Sequence, residues 1–535
     1  MSRAIFKSTS VVGLTTLLSR ITGLLRDMVY SQAFGAGTLM DAFLVAFKIP
    51  NFLRRLFAEG AFSQSFVPVI SEYRIRRSPQ EVRELVAGVL GTLGGLLTLV
   101  TAVGVVAAPL IILLFAPGFT QQPDKYELAV SMLRWTFPYL FFVSLTALFS
   151  GVLNSYGRFA VPAFTQVIMN LVMIAFALAV ATRSDRPGVA LAIGVFVAGV
   201  LQLCFQMPFV ARLGLLDWPR WQPAAAGVRR IGRLMLPGIL GSSMAQVSLL
   251  LDTLIASFLV TGSIAWLYYA DRLMEFALGV FSIALATVIL PGLSAHHAEG
   301  SAERFSATLD WALRAVMLLV TPASVALLVF AGPITATIFG YGRFSDRDVQ
   351  MTQVGLMAYS WGLLGFSLVK VLAPGYFARQ DMRTPVRAGL IALGANMAIN
   401  VGLVLPAKYL GFPLPHVLLA TSTCISAALN TVLLWRGLRR EGVHRPTPGW
   451  RPFLLRILFA NVAMTVVLLS MAGELSDWLQ AAPFARAARL AVSIAVGAGT
   501  YFVALYLGGL RWHHLRSVTG DSDPPGRGKG DADRL

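Results

Sequence analysis

Leu85-Val-Ala-Gly-Val-Leu-Gly-Thr-Leu-Gly-Gly-Leu-Leu-Thr-Leu-Val-Thr-Ala-Val-Gly-Val-Val106 contains no charged residue. A helix rises about 1.5 Å per residue, so a run of this length matches the roughly 30 Å hydrocarbon core of a bilayer. Similar runs, set apart by polar or Gly/Pro breaks, begin near Ser8, Met40, Leu128, Val161, Val189, Leu234, Trp266, Leu309, Val349, Val386, Leu414, Phe453 and Ala487. That makes about fourteen spans of membrane-crossing length. With 535 residues, 56% hydrophobic and only 13% charged, the chain departs from soluble proteins, which carry roughly 25% charge. The mean hydropathy of +0.69 agrees. The fold class expected is all-α integral membrane. Arg3 and Lys7 ahead of the first apolar run imitate a signal peptide, but Arg20 and Arg26 interrupt it and no small-x-small cleavage site follows, so it reads as a retained helix.

The charge is lopsided, with 44 Lys+Arg against 26 Asp+Glu and a net +18. Its distribution argues against nucleic acid as a partner. Basic residues cluster at Tyr73 to Arg83, Arg212 to Arg233, Arg379 to Arg387, Arg436 to Arg456 and after Leu510, which are alternate loops. The positive-inside rule places these loops and both termini in the cytoplasm, against anionic lipid headgroups. Asp521 to Leu535 is Gly/Asp/Pro-rich and reads as a disordered tail. Cys204 and Cys424 lie within apolar stretches and build neither a disulfide framework nor a thiolate metal site.

An internal repeat appears at an offset of about 220 to 225 residues. Asp27 then Gly37 answers Asp252 then Gly262; Pro68-Val-Ile-Ser71 answers Pro291-Gly-Leu-Ser294; Phe115-Ala-Pro-Gly118 answers Phe339-Gly-Tyr-Gly342. Six spans separate the copies. An even number keeps both halves in one orientation, related by an axis along the membrane normal. The expected organisation is two six-helix lobes, residues 1–215 and 216–440, then helices thirteen and fourteen over 441–515 and a cytoplasmic tail over 516–535.

No constellation for covalent chemistry is apparent. His296, His297, His416, His444, His513 and His514 sit at loops or helix ends, and HExxH and P-loop motifs are absent. The expectation is a protein that is not an enzyme and holds no metal or organic cofactor. The informative residues are charges inside spans, where an ion costs at least roughly 2.5 to 3.5 kcal/mol unless it faces water or a partner. They are Arg20, Arg26 and Asp27 in the first span; Asp41, Lys48, Arg54 and Arg55 in the second, with Glu59 just beyond; Asp252 in the seventh; and Asp271, Arg272 and Glu275 in the eighth. The repeat pairs these spans across one interface, which predicts a central cationic cavity. Asp41, Lys48 and Arg55 recur every seven residues and Asp271 and Glu275 every four, so each set shares one helix face. Pro50 and Gly60 predict a kink or break where the second helix lines that cavity.

The balance of these charges is cationic, and arginine's planar fork binds phosphate bidentately, so an anionic phosphate cargo fits. Other readings stay open. Arg54, Arg55 and Glu59 also suit snorkelling at a helix end, and Arg20, Arg26 and Arg272 suit structural ion pairs. Asp252 serves equally as a structural acid or an ion-coupling group, and Arg134 and Lys370 read as structural or cavity-edge residues.

Three segments carry a resemblance. Ser19-Arg20-Ile-Thr-Gly23-Leu-Leu-Arg26-Asp27, Phe34-Gly-Ala-Gly37 and Asp41-Ala-Phe-Leu-Val-Ala-Phe-Lys48-Ile-Pro50-Asn51-Phe-Leu-Arg54-Arg55-Leu-Phe-Ala-Glu59-Gly60-Ala-Phe-Ser63-Gln64 resemble the MurJ (MviN) lipid II flippases of bacteria. Tyr268-Tyr-Ala-Asp271-Arg272-Leu-Met-Glu275-Phe276 continues the match, which extends to about Arg511. The resemblance implies a MOP-superfamily fold of two lobes plus a last helix pair that forms a groove for a polyprenyl tail. It implies a cargo, undecaprenyl-pyrophosphate-linked disaccharide pentapeptide (lipid II), moved across the inner membrane for peptidoglycan synthesis. It assigns functional roles to Arg20, Arg26, Arg54, Arg272 and Asp41, and places Glu59 in a lateral portal. The mechanism implied is alternating access. H⁺, Na⁺ or the membrane potential remain alternatives for the driving force, and membrane lipids and cell-wall synthesis proteins are the further partners considered. The rival readings are another MOP-superfamily exporter, either a lipid-linked oligosaccharide flippase or a drug/cation antiporter, and a non-transporting scaffold for cell-wall enzymes.

Overall fold

The computed structural model describes residues 3–55 and 62–510. Glu59, Gly60 and the tail over 516–535 lie outside the described residues. Every regular element described is helical. In chain order these are α1 (Arg3–Phe34), α2 (Thr38–Arg54), α3 (Ser63–Arg76), α4 (Pro79–Val106), α5 (Ala108–Phe115), α6 (Pro123–Thr136), α7 (Tyr139–Ser155), α8 (Ala160–Ala179), α9 (Pro187–Ala211) and α10 (Ala226–Ser257). They continue as α11 (Ser263–Ala298), α12 (Ala302–Val329), α13 (Ala331–Ile338), α14 (Asp346–Phe377), α15 (Arg383–Ile399), α16 (Leu405–Tyr409), α17 (Pro415–Arg440), α18 (Trp450–Ala472), α19 (Leu475–Gln480) and α20 (Pro483–Leu507).

Among the described residues, 10 helical spans are long and apolar enough to cross a membrane: α4, α6 with α7, α8, α9, α12, α14, α15 through α16, α17, α18 and α20. The spans expected near Ser8, Met40, Leu234 and Trp266 fall on α1, α2, α10 and α11, the helices on or next to which the charges singled out in the sequence lie. Local chemistry sets many of the starts. Pro79, Pro123, Pro187, Pro415 and Pro483 each open a helix, where a missing N–H costs nothing. Ser78 accepts from the Glu81 N–H at 3.3 Å while Glu81 accepts from the Ser78 N–H at 3.0 Å, a reciprocal cap on α4. α2 runs on through Pro50 to Arg54, so no break occurs at the proline itself.

The repeat is written in the element boundaries. α1 and α10 are 32 residues each, α4 and α12 are 28, and α5 and α13 are 8. Within each of these pairs, and for α6 with α14 and α8 with α15, the second member starts 223 residues after the first. Packing follows the same division: α1 lies on α8, α8 and α7 on α9, and α2 on α6, while α14 packs on α17, α11 and α12 on α14, and α15 on α17. α10 crosses to α2, α3 and α4, and α11 to α1 and α2.

The last helices are tied to the second group at three levels. Tyr501 Oη donates to the Leu318 carbonyl at 2.8 Å, buried Arg486 donates to the Ala336 and Gly340 carbonyls at 3.1 and 2.8 Å, and Trp450 Nε1 donates to Asp310 at 2.8 Å. Basic loops meet basic loops at one end of the molecule. Arg83 donates to the Gly214 carbonyl at 2.6 Å, Arg230 pairs with Glu72 at 2.9 Å, and Arg379 pairs with Glu441 at 2.6 Å. The turns 35–37, 117–122, 258–262 and 341–343 gather at the opposite end.

Candidate functional site

Between the two helix groups lies a cavity of about 420 Å³, lined among others by Arg26, Lys48, Arg54, Arg55 and Arg272 against Asp252, Asp271 and Glu275. Five cations face three acids, so the wall keeps a positive surplus. Lys48 donates to Thr253 Oγ1 on α10 at 3.1 Å, and Arg54 donates to Asn51 one turn earlier at 3.1 Å. Neutral Gln166, Tyr268, Tyr359 and Thr423 complete the polar lining.

The deepest charges form a relay across the interface. Arg26 on α1 grips Asp27 through Nε and Nη2 at 3.0 and 2.7 Å and reaches Asn170 at 3.2 Å and Tyr268 at 3.0 Å. Arg272 on α11 meets the other Asp27 oxygen at 2.7 Å and Glu275 at 3.3 Å, and Tyr268 also donates to Asp27 at 2.9 Å. Asp27 is fully buried behind the wall and does not line the cavity. Its two oxygens hold one arginine from each group together. Arg272 remains 31% exposed at the side chain, against 7% for Arg26, so Arg272 has the greater freedom to meet a ligand.

Besides Asp27, expected in the cavity wall and found behind it, two residues fall elsewhere than the sequence expects. Arg20 is absent from the cavity wall; its guanidinium lies over Gly279 of α11, where any Cβ would collide with it, and its Nε has no hydrogen-bond partner among the described residues. Asp41 shares the helix face of Lys48 but sits two turns away, at the sealed end. It is buried, pairs with Lys125 Nζ at 2.8 Å, and accepts from the backbone N–H groups of Gly262 and Ala265 at 2.8 and 3.0 Å. A carboxylate of one helix group thus caps the N-terminus of α11 in the other, where the helix dipole favours negative charge. Gly262, at φ +99°, makes the turn that aims those N–H groups. Around this cap Gly118 N–H donates to Ser257 at 3.0 Å, Thr261 to Gln122 at 3.1 Å, and Arg343 N–H to the Gln32 carbonyl at 2.9 Å.

Reading charges alone missed Lys125, Asn170, Asn396, Asn400 and Ser422. Asp252 accepts from Asn396 and Asn400 at 3.1 and 2.9 Å. The Oδ1 atoms of both asparagines face the single hydroxyl proton of Ser422, as does the Leu419 carbonyl at 2.9 Å. The signal available was the four-residue spacing of two amides in an apolar span. Asn400 also opens a π-helical turn, Asn400–Val404, a distortion common at functional sites. Among the described residues no group of three or more His, Cys, Asp or Glu is placed to hold a metal ion.

A family model described as "Lipid II flippase MurJ" matches residues 30–487. The chain belongs to the MurJ lipid II flippase family. A "Probable lipid II flippase MurJ" of Vibrio cholerae serotype O1 is 43% identical over 97% of this chain and 99% of that protein. A solved lipid II flippase MurJ, in an inward closed conformation, shares the fold at a TM-score of 0.78 and 24% identity over 93% of this chain and 98% of that one. An inward-facing multidrug resistance MATE transporter of the MOP superfamily superposes at a TM-score of 0.61 and 14% identity, over 83% and 99% of the two chains, a likeness of fold alone. The chain is therefore a multi-pass membrane flippase of the MurJ family, and the drug-exporter reading rests on shared architecture only.

Proposed function

We propose that this flippase carries lipid II from the cytoplasmic to the periplasmic leaflet of the bacterial inner membrane by alternating access, with no covalent step. The observation that carries the site assignment is the positive surplus of the cavity wall, five cations against three acids, in a region where each unpaired ion is costly. The pyrophosphate docks on Arg272 and Arg54 with Arg26 behind them, through charge-assisted forks. Arg20 lies outside this wall and serves the approach between α1 and α11. Residues 1–215 and 216–440 act as two lobes, 441–515 moves with the second, and both termini face the cytoplasm. The end sealed by Asp41 is then periplasmic, and its opening requires Asp41 to release the N-terminus of α11. The apolar groove lined by Leu313, Met317, Leu368, Leu372, Trp435 and Trp450 suits the polyprenyl tail.

Asp252 is assigned the coupling ion, H⁺ or Na⁺. Three acceptor oxygens competing for one Ser422 proton leave an oxygen surplus that a monovalent cation relieves. The decisive test is replacement of the native flippase in cells, reading growth and lipid II export. Export should persist; a well-expressed protein that supports none overturns the reading. In vesicles, exchanging Na⁺ for K⁺ and imposing a pH gradient or a potential tells the driving forces apart, and a rate indifferent to Na⁺ and to the pH gradient removes Asp252 from coupling.

A further inference from the structure

The joint between the two helix groups is the stretch 212–225, between the end of α9 and the start of α10. It does not hang free. Arg220 N–H donates to the Ala87 carbonyl at 3.0 Å and Gln222 N–H to Thr92 Oγ1 at 3.2 Å, so the strand-like segment runs along the outside of α4. It lies in a trough of glycines. A Cβ on Gly88 would meet Gln222 Oε1 at 3.3 Å, and one on Gly95 would overlap the Trp221 ring at 2.5 Å. At Gly91 the added carbon would run into the Arg220 backbone itself. Spacings of three and four put these glycines on one face of α4.

The depth of that trough can be read from α4 and α5. The exposed large apolar side chains of α4 begin only at Leu96 and continue through Val106 into α5 as far as Leu114, so the lipid-facing part of the charge-free run starts about halfway along it and not at Leu85. Gly88 to Gly95 precede that band, on the side of the basic loops, which puts the trough toward the headgroups. There the joint presents Trp218 at 85% and Trp221 at 64% exposure, beside exposed Arg212, Arg220 and Arg233, with Asp217 the one acid of the stretch, paired to Arg220 at 3.2 Å. Tryptophan favours this interface, and exposed arginines there favour anionic lipid.

We propose that the joint, docked in the α4 glycine trough, is a binding site for anionic phospholipid headgroups of the inner leaflet. The tryptophans enter between headgroups, the arginines hold the phosphates, and motion between the helix groups is left to the few residues following Gln222. The proposal rests on the cytoplasmic placement of this loop. A cysteine at Ala224, labelled from one side of sealed vesicles, reports that placement separately.

The test uses the full chain in nanodiscs carrying phosphatidylcholine with or without 30% phosphatidylglycerol, each lipid in turn brominated on its chains to quench nearby tryptophan. Brominated phosphatidylglycerol should quench more than brominated phosphatidylcholine at equal fraction. Trp218→Phe with Trp221→Phe should remove that excess. Arg212→Gln with Arg220→Gln and Arg233→Gln should bring the two lipids to parity and lower phosphatidylglycerol retention through delipidation at least five-fold, with phosphatidylcholine unchanged. Gly91→Val should undock the joint and abolish the excess as well. Equal quenching by both lipids in the unaltered protein, or a preference that survives the arginine substitutions, overturns the proposal. Tryptophans untouched by either brominated lipid overturn it too, and point to a soluble protein partner for this surface.

Discussion

The sealed end and the cavity both hold ions between packed helices, yet they treat them oppositely. At the seal one acid meets one lysine and two helix-terminal N–H groups, and both side chains are at most 4% exposed. In the cavity cations outnumber acids and Arg272 keeps part of its surface open. A balanced, fully bonded set holds one arrangement of the protein, because removing a member strands its partner. A surplus set is complete only with something else present.

The widest separation should come from Arg272. Its replacement by Ala should abolish lipid II export, a loss of at least tenfold given about 1.5 to 3 kcal/mol per charged hydrogen bond, while the protein still reaches the membrane. Arg272→Lys should retain partial export, since point charge survives and the fork does not. Arg26→Ala should lower export and folded protein together, because it strips two of the four bonds to buried Asp27. Measuring abundance and export side by side decides, and normal export by well-expressed Arg26→Ala and Arg272→Ala proteins ends the cargo assignment.

The seal should respond in the reverse sense. Asp41→Ala leaves Lys125 buried without its acid, at about 3 to 5 kcal/mol, and should cut folded protein. Adding Lys125→Met should restore the level but leave the seal weak, seen as faster labelling of a cysteine at Thr261 by an impermeant thiol reagent added from the periplasmic side. Restored protein with an unlabelled Thr261→Cys would show that Asp41 does not hold the seal.

Smaller effects sharpen the contrast between the two regions. Gly262→Ala forces a side chain into the left-handed region and against Trp266 and the Ala36 carbonyl, and should cost about 1 to 2 kcal/mol in thermal stability. Gly279→Ala places its Cβ only against the flexible end of Arg20. That arginine can yield, so the change should stay below about 1 kcal/mol and appear as a modest loss of export. Equal damage from both would mean that Arg20 is as firmly held as the seal.

Much of the cavity was legible because charge within an apolar span is costly enough to be informative by itself: Arg26, Lys48, Arg54, Arg55, Asp252, Asp271, Arg272 and Glu275 all reach its wall. Lys125 was not, since it stands among the polar residues Gln122 to Glu127 and reads as a solvated turn. Nor were Asn170, Asn396, Asn400 and Ser422, whose neutral groups carry no penalty large enough to mark them without a known neighbour. Asp41 shows the limit of periodicity, for seven-residue spacing fixes a shared face but leaves open which residues of the facing helix stand opposite each turn.

The sequence alone determined the helical membrane class, the repeat, the family and the identity of the costly charges, because hydrophobic length, periodicity and charge are properties of consecutive residues. Only the tertiary structure decided which of those charges became a wall, a buried bridge or a cap. That outcome depends on which atoms of α1, α2, α10 and α11 come within hydrogen-bond reach, across more than two hundred residues of chain, once the two halves are packed together.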